Sequence, residues 1–365
     1  MAAVIEDAAL ARLIERVQAA RADGTKLEIV GGGSKRWHGE APRGEPLATS
    51  ELAGISSYEP SELVITARAG TPLAEVEAAL AERGQWLAFE PPRFAPGGTV
   101  GGMLASGLSG PGRASTGSVR DFVLGATMLN GRGELLSFGG QVMKNVAGYD
   151  LPRLLAGSLG VLGLICEVSL KVLPRPPAVA TLRFELPEDQ ALRRLNEWAG
   201  QPLPLSASAW WDGMLVLRLA GAAAAVQSAY EKLGGEPIEP TLADGFWCGL
   251  RDQHDEFFVG AAAAVERGAA LWRLSLPATT PPLKLAGEQL VEWGGAQRWL
   301  CTPLPAAAVR AAAAAAGGHA TRWRGRGDEP VFTPLAPVLG TLHRRLKDAF
   351  DPDRVFNPGR LYPEL

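Results

Sequence analysis

Pro96-Gly97-Gly98-Thr99-Val100-Gly101-Gly102 opens a stretch, Pro96 to Gly163, that holds 17 of the chain's 44 glycines. Glycine loses more backbone entropy on folding than any other residue, so such density needs a structural return. That return is backbone with positive φ, or bare N–H groups that a ligand can approach closely. Successive amides form an anion-binding concavity without any lysine, and a diphosphate requires such donors. A second glycine turn, Gly31-Gly32-Gly33-Ser34, precedes the first and ends an apolar run, Leu27–Val30. The pair predicts an extended groove for a large dinucleotide.

Neither turn is a nicotinamide-type fingerprint, which needs GxGxxG between a strand and its helix. Gly31-Gly32-Gly33-Ser34-Lys35-Arg36 fails at the sixth position and Gly97-Gly98-Thr99-Val100-Gly101-Gly102 at the third. GxxxxGK[ST] is absent, which excludes a P-loop.

With 365 residues the chain is long enough for two or three domains, and 47% hydrophobic and 21% charged residues are ordinary globular values. A net charge of −3 leaves no basic footprint for nucleic acid. No apolar run is long enough to span a membrane, and the N-terminus lacks the basic and apolar regions of a signal peptide. Cys166, Cys248 and Cys301 form no CxxC pair, so an iron–sulfur cluster or structural zinc held by this chain alone is excluded. The expected compartment is the reducing cytoplasm. His38, His254, His319 and His343 show no ligand spacing, and no metal site is predicted.

Leu10, Leu13, Ile14 and Val17 fall on one face of a helix over 6–22, followed by a strand at Leu27–Val30. A second strand is expected at Leu63–Ala69, then a helix over 72–83 with Thr71 as N-cap and Pro72 first. Val123–Leu129 and Glu134–Ser137 read as a hairpin around Asn130-Gly131, a short helix begins near Asp150, and Leu164–Val172 alternates as a half-buried strand. Pro174, Pro176 and Pro177 mark a boundary that a sheet cannot cross. Beyond it the order is strand 179–186, helix 188–199, strands 205–211 and 214–219 around Asp212-Gly213, and helix 222–233. Strands near 271–276 and 296–301 and an alanine-rich helix 305–316 suggest a second, looser half of a ferredoxin-like α+β domain. Eight of ten tryptophans lie between Trp198 and Trp323, so this region is either an aromatic core or an interface. A helix over 336–350 and a turn-rich close, Asp351 to Arg360, predict a docked tail.

The two glycine turns, Gly117-Ser118-Val119-Arg120-Asp121, the run Lys144 to Leu151 and the run Gly157 to Val168 occur in one order. In that order they resemble the FAD-binding domain of the vanillyl-alcohol oxidase and p-cresol methylhydroxylase superfamily. The Val142–Leu151 block, Gly317-Gly318-His319-Ala320-Thr321 and the closing Asn357-Pro358-Gly359-Arg360-Leu361-Tyr362 extend the likeness. Within the superfamily it is greatest to the FAD-binding subunits of bacterial glycolate oxidases.

The resemblance implies an α+β fold. Residues 1–176 would form the two-subdomain FAD-binding domain and 178–330 a smaller ferredoxin-like substrate, cap or interface domain, with 331–365 docking back on the first. It implies an FAD-dependent oxidoreductase acting on CH–OH groups, oxidising the 2-hydroxy acid glycolate to glyoxylate beside a second flavin subunit. Electrons would leave through an iron–sulfur subunit towards quinone. The complex would be cytoplasmic, touching the inner membrane only through partners. Gly31, Gly32, Gly33, Ser34, Lys35, Pro96, Gly97, Gly98, Thr99, Gly101, Gly102 and Ser106 would hold the diphosphate side of FAD, with Arg36 a further cation. Gly117, Ser118 and Asp121 would touch the cofactor as well, and Gly160, Gly163 and Ile165 would do so through backbone. Linked relatives carry a histidine where this chain has Ser34, and His38 is displaced, so the FAD is expected to be noncovalent.

Relatives that oxidise D-2-hydroxy acids carry two metal-holding histidines in the substrate domain. Here His319 has no second histidine at that spacing, and Arg322, Arg324 and Arg326 beside it read either as an anion site or as a solvated basic strand. Asn145 and Tyr149 are candidates for the flavin ring or for packing. No catalytic base is assigned from the sequence. The departure implies that the larger flavin subunit carries most of the substrate chemistry. The competing readings are a stand-alone FAD-dependent 2-hydroxy-acid dehydrogenase and a non-catalytic FAD-holding scaffold.

Overall fold

The computed structural model describes residues 7–140 and 150–365. Helix α1 (Ala8–Asp23) starts where the Asp7 carboxylate accepts the N–H groups of Ala9 and Leu10, and it buries Leu13, Val17 and Ala20. Strand β1 (Leu27–Val30) pairs in parallel with β2 (Glu45–Ala48). Then come β3 (Ile55–Glu59), β4 (Val64–Arg68), α2 (Leu73–Ala81) and the two-residue β5 (Gln85–Trp86). The short helices α3 (Val100–Ser106), α4 (Arg113–Thr116) and α5 (Val119–Phe122) lead into the hairpin β6 (Val123–Leu129) and β7 (Leu135–Gly139). Strand β8 (Leu164–Lys171) completes an antiparallel five-stranded sheet of order β3-β4-β8-β6-β7.

Three expectations change here. Thr71 does not cap α2: its hydroxyl exchanges hydrogen bonds with the Gly54 backbone at 2.9 and 3.0 Å, and the N-cap position falls to Pro72 without a side-chain bond. The helix near Asp150 is a single 3-10 turn, Pro152–Leu155. Pairing enters the proline run by one residue, β9 (Leu173–Pro174) against β5, and stops before Pro176 and Pro177, because an edge position does not require the proline N–H.

Strand β10 (Ala178–Glu185), α6 (Glu188–Ala199), β11 (Leu205–Trp211), β12 (Met214–Gly221), α7 (Ala223–Leu233) and β13 (Glu236–Pro237) follow. Their β-α-β-β-α-β order and spatial sequence β13-β10-β12-β11 are those of a ferredoxin-like unit. Helices α8 (Pro240–Asp252) and α9 (Glu256–Glu266) come next, capped by Glu239 and Asp255. Strands β14 (Ala270–Ser275), β15 (Glu288–Glu292) and β16 (Gln297–Thr302), helix α10 (Ala306–Ala315) and strand β17 (His319–Arg324) build a second unit.

This second unit runs β15-β16-β14-β17, the mirror order of the first, and joins it through antiparallel pairing of β11 with β15. The expected looser half is therefore part of one eight-stranded sheet. It lacks the first crossover helix, since Pro277, Pro281 and Pro282 interrupt the segment between β14 and β15. Trp198, Trp247, Trp272, Trp299 and Trp323 are buried, so the tryptophan-rich region is core.

Several contacts fasten the sheet to the FAD-binding half, two of them through large side chains. Arg218 on β12 donates to both oxygens of Glu90 at 2.8 and 3.0 Å, with both side chains buried, and Trp293 donates to the Gly110 carbonyl at 3.1 Å. The tail returns through α11 (Pro337–Phe350). Leu27 donates to Val355 and Asn357 to the Leu27 carbonyl, so the tail lies along β1 as a third, parallel neighbour.

Candidate functional site

A cleft opens where β1 ends. The chain turns at Gly31–Lys35, helped by Gly33 at φ +72°, and none of the five N–H groups from Gly31 to Lys35 donates to an acceptor among the described residues. A cluster of free amides in a turn is an anion-binding concavity. The second loop closes on the first with no side chain between them. A Cβ at Gly32 would stand 1.4 Å from the Gly97 carbonyl oxygen, and one at Gly31 2.5 Å from Thr99 Oγ1.

The cleft gathers most of the residues picked from the sequence. Gly31, Gly32, Gly33, Ser34 and Lys35 form one wall; Thr99, Gly101, Gly102 and Ser106 form a second; Gly160, Gly163 and Ile165 a third. Thr99 holds its loop by capping α3, its hydroxyl accepting from Gly102 N–H at 3.2 Å. Pro96, Gly97 and Gly98 do not line the cleft. Gly97 supplies the carbonyl packed on Gly32, and Gly98 sits behind Ser34.

Gly117, Ser118 and Asp121 also lie outside it. There Asp121 accepts from both the N–H and the hydroxyl of Ser118 at 2.8 Å, closing a capping box on α5. Asn145 and Tyr149 lie outside the described residues.

Arg36 also lines the cleft, but its guanidinium is taken by the buried Glu28 through two 2.7 Å hydrogen bonds. That leaves Lys35 as the loop's available cation. Burial pushes its amine down to about 8, against a smaller upward pull from Asp252. His38 is buried against Trp37, Trp323 and Phe332, and burial first, then neighbouring arginines, hold it neutral.

Sequence reasoning missed Asn357 and Arg360, which enter the cleft from the tail. The Asn357 amide oxygen accepts from Ile29 N–H at 2.8 Å and its nitrogen donates to Leu159 O at 2.6 Å. Arg360 donates one nitrogen to the Arg36 carbonyl and keeps Nη1 buried without a partner. A buried guanidinium nitrogen left unpaired is costly unless an anion reaches it. The Asn-Pro-Gly-Arg turn was the available signal, but only the fold shows that it comes back to β1.

His319 and the arginines beside it do not form an anion site. A β-bulge pairs Trp272 with Arg322 and Leu271 with Arg324, sending the two arginines to opposite sides of the sheet. Arg322 binds the Glu329 carbonyl at 2.9 Å, Arg324 stacks on the Trp37 ring at 3.1 Å, and His319 and Arg326 are exposed.

A family model described as FAD binding domain matches residues 1–139. The glycolate oxidase subunit GlcE of Escherichia coli (strain K12) is 48% identical over 353 residues, which is 97% of this chain and 97% of that protein. The chain belongs to the GlcE family of glycolate oxidase subunits. It is accordingly an FAD-dependent oxidoreductase of the group that acts on CH–OH bonds. The D-lactate dehydrogenase of Anaerostipes hadrus is 33% identical over 139 residues, 38% of this chain and 29% of that protein. An alkyldihydroxyacetonephosphate synthase structure superposes with a TM-score of 0.62 at 16% identity, covering 95% of this chain and 75% of that one, a likeness of fold alone. FAD fits the cleft: free amides, a cradle that a Cβ would fill, and an orphaned arginine nitrogen all suit a diphosphate.

Proposed function

We propose that this chain is the FAD-holding subunit of a multi-subunit enzyme that oxidises glycolate to glyoxylate. It would work beside a second flavin subunit and pass electrons through an iron–sulfur subunit towards quinone. The carrying observation is the 48% identity with a glycolate oxidase subunit over 97% of both chains. The residue division at 1–176, 178–330 and 331–365 belongs to this reading. So does a cytoplasmic place with membrane contact only through partners; no helix among the described residues is long and apolar enough to cross a membrane.

Bound FAD supplies a two-electron acceptor. The chain's own part is to hold its diphosphate with the Gly31–Lys35 amides, with Lys35 and with Arg360. Thr99, Gly101, Gly102 and Ser106 form the facing wall, and Gly160, Gly163 and Ile165 the third side.

The test is a spectrum. The chain purified alone should carry flavin that acid releases from the protein, and anaerobic glycolate should bleach it when the other subunits are present. A colourless, folded chain that refuses added FAD, or a complex whose flavin ignores glycolate, defeats the reading.

The loop cation gives a second expected result. Lys35 is charged below about 8 and neutral above, so FAD affinity should weaken as pH rises from about 7 to about 9. Lys35→Met should bind more weakly throughout and lose this slope. Fluorescence titration of FAD against the apoprotein reads both, and an identical slope in the variant would remove Lys35 from the site.

A further inference from the structure

The face of the large sheet turned towards the FAD-binding half carries charges that its packing leaves unused. Arg273 on β14 lies opposite Trp299 on β16, and Glu292 on β15 lies opposite Gln297 on β16, so all four side chains share one face. Together with Phe94 and Leu108 they enclose a small cavity. Arg273 makes no hydrogen bond or ion pair among the described residues; its guanidinium stacks on the Trp323 ring at 4.8 Å. Glu292 is 4% exposed. One of its oxygens accepts from both Gln297, at 2.9 Å, and the Trp299 indole N–H. Its other oxygen, Oε1, has no hydrogen-bond partner among the described residues.

An arginine and a glutamate lining one cavity would ordinarily close on each other. Here they are held apart, each supported by indole or amide neighbours. Burial pulls the Arg273 guanidinium down to about 10 and pushes the Glu292 carboxyl up to about 7. Arg251, the other arginine on the cavity wall, is taken by Asp252 through hydrogen bonds of 2.9 and 2.6 Å. A half-buried guanidinium with no hydrogen bond or ion pair among the described residues can take a carboxylate, which it grips through two N–H groups. The free oxygen of Glu292 calls for an O–H donor in the same ligand.

We propose that this cavity binds the carboxylate of a short 2-hydroxy acid, Arg273 taking the carboxylate and Glu292 Oε1 accepting the hydroxyl hydrogen. The proposal rests on the glycolate-oxidising reading above and locates the acid in this chain, without the paired histidines of the D-2-hydroxy-acid relatives. The volume, about 20 Å³, is room for one or two waters. A long acyl chain is barred, and even a two-carbon acid must displace that water and press the walls outward.

The experiment uses the flavin-loaded protein, reduced chemically beforehand under anaerobic conditions so that nothing turns over. Calorimetric titrations with glycolate and with acetate, which lacks the hydroxyl, give two dissociation constants per variant. The native protein should prefer glycolate. Arg273→Met should weaken both ligands at least tenfold, Arg273→Lys should recover part of the loss, and Glu292→Gln should erase the preference while leaving acetate nearly unchanged. Flavin content and melting temperature are followed in parallel.

No glycolate binding by the native protein overturns the proposal. So does undiminished glycolate affinity in Arg273→Met or, should that variant not fold, in both Arg273→Lys and Glu292→Gln. Failure of the broader reading is seen separately, since the oxidised complex would then not bleach with glycolate whatever this cavity binds.

Discussion

Gly32→Ala should purify without flavin and bind added FAD at least a hundredfold more weakly than the native chain. The added Cβ would lie 1.4 Å from the Gly97 carbonyl oxygen and 2.3 Å from its carbon. Both are backbone atoms, so no side-chain rotation relieves the clash, and the two loops must part. Overpacking a well-packed site costs about 1–3 kcal/mol even where side chains can yield. A cost at the top of that range, taken from binding, is roughly two orders of magnitude in affinity.

Gly33→Ala separates crowding from backbone strain. Gly33 has φ +72° but nothing within 4 Å of its missing Cβ, so only the left-handed conformation is penalised, by about 1–2 kcal/mol. The expected order is native, then Gly33→Ala, then Gly32→Ala. Full flavin in purified Gly32→Ala would mean that the loops do not meet as described.

Lys347→Met should cost about 3–5 kcal/mol, the usual penalty for removing one partner of a buried ion pair. Lys347 and Asp351 are wholly buried and 2.7 Å apart. The ammonium spends its other two protons on the carbonyls of Val161 and Phe356, at 2.7 and 2.9 Å. Asp351 in turn accepts the N–H groups of Val355 and Phe356. This knot fixes the start of the tail segment that lies along β1 and bears Asn357 and Arg360. The loss should therefore appear twice, as a melting temperature lowered by roughly 5–15 °C and as weaker FAD retention. Excess FAD should restore part of the melting temperature by mass action. A variant that melts like the native chain would show that the tail is held by other contacts.

Much of the architecture is written in local residue patterns. The Leu27–Val30 strand, the Asn130-Gly131 hairpin, the Asp212-Gly213 hairpin and the 188–199 helix depend on near neighbours and occur almost where the pattern puts them. The short β15, with the sequence Glu-Gln-Leu-Val-Glu, carries no such signature; it is a strand because β11 and β16 flank it. Helices α8 and α9 are hard to see in the sequence for a similar reason, since their caps and apolar faces gain meaning only against the sheet they cover.

The candidate site divides along the same line. Both glycine loops could be picked from sequence because close backbone approach admits few other residue types. That one loop is packed on the other through Gly32 and Gly97 is a consequence of pairing between distant segments, and that Glu28 occupies the Arg36 guanidinium and that Ser118 and Asp121 cap a helix instead of facing the cleft are decided by the folded geometry. Arg360 lies far along the chain from Gly31 and reaches the same cleft only through the tail's pairing with β1. Arg273 and Glu292 become neighbours only through strand register. Residue order alone pointed to the family and its flavin, through short motifs in a fixed order, and to those elements that depend on near neighbours. Which charges stay free to meet a ligand was settled by tertiary packing, because a charge is free only when nothing folded beside it has claimed it.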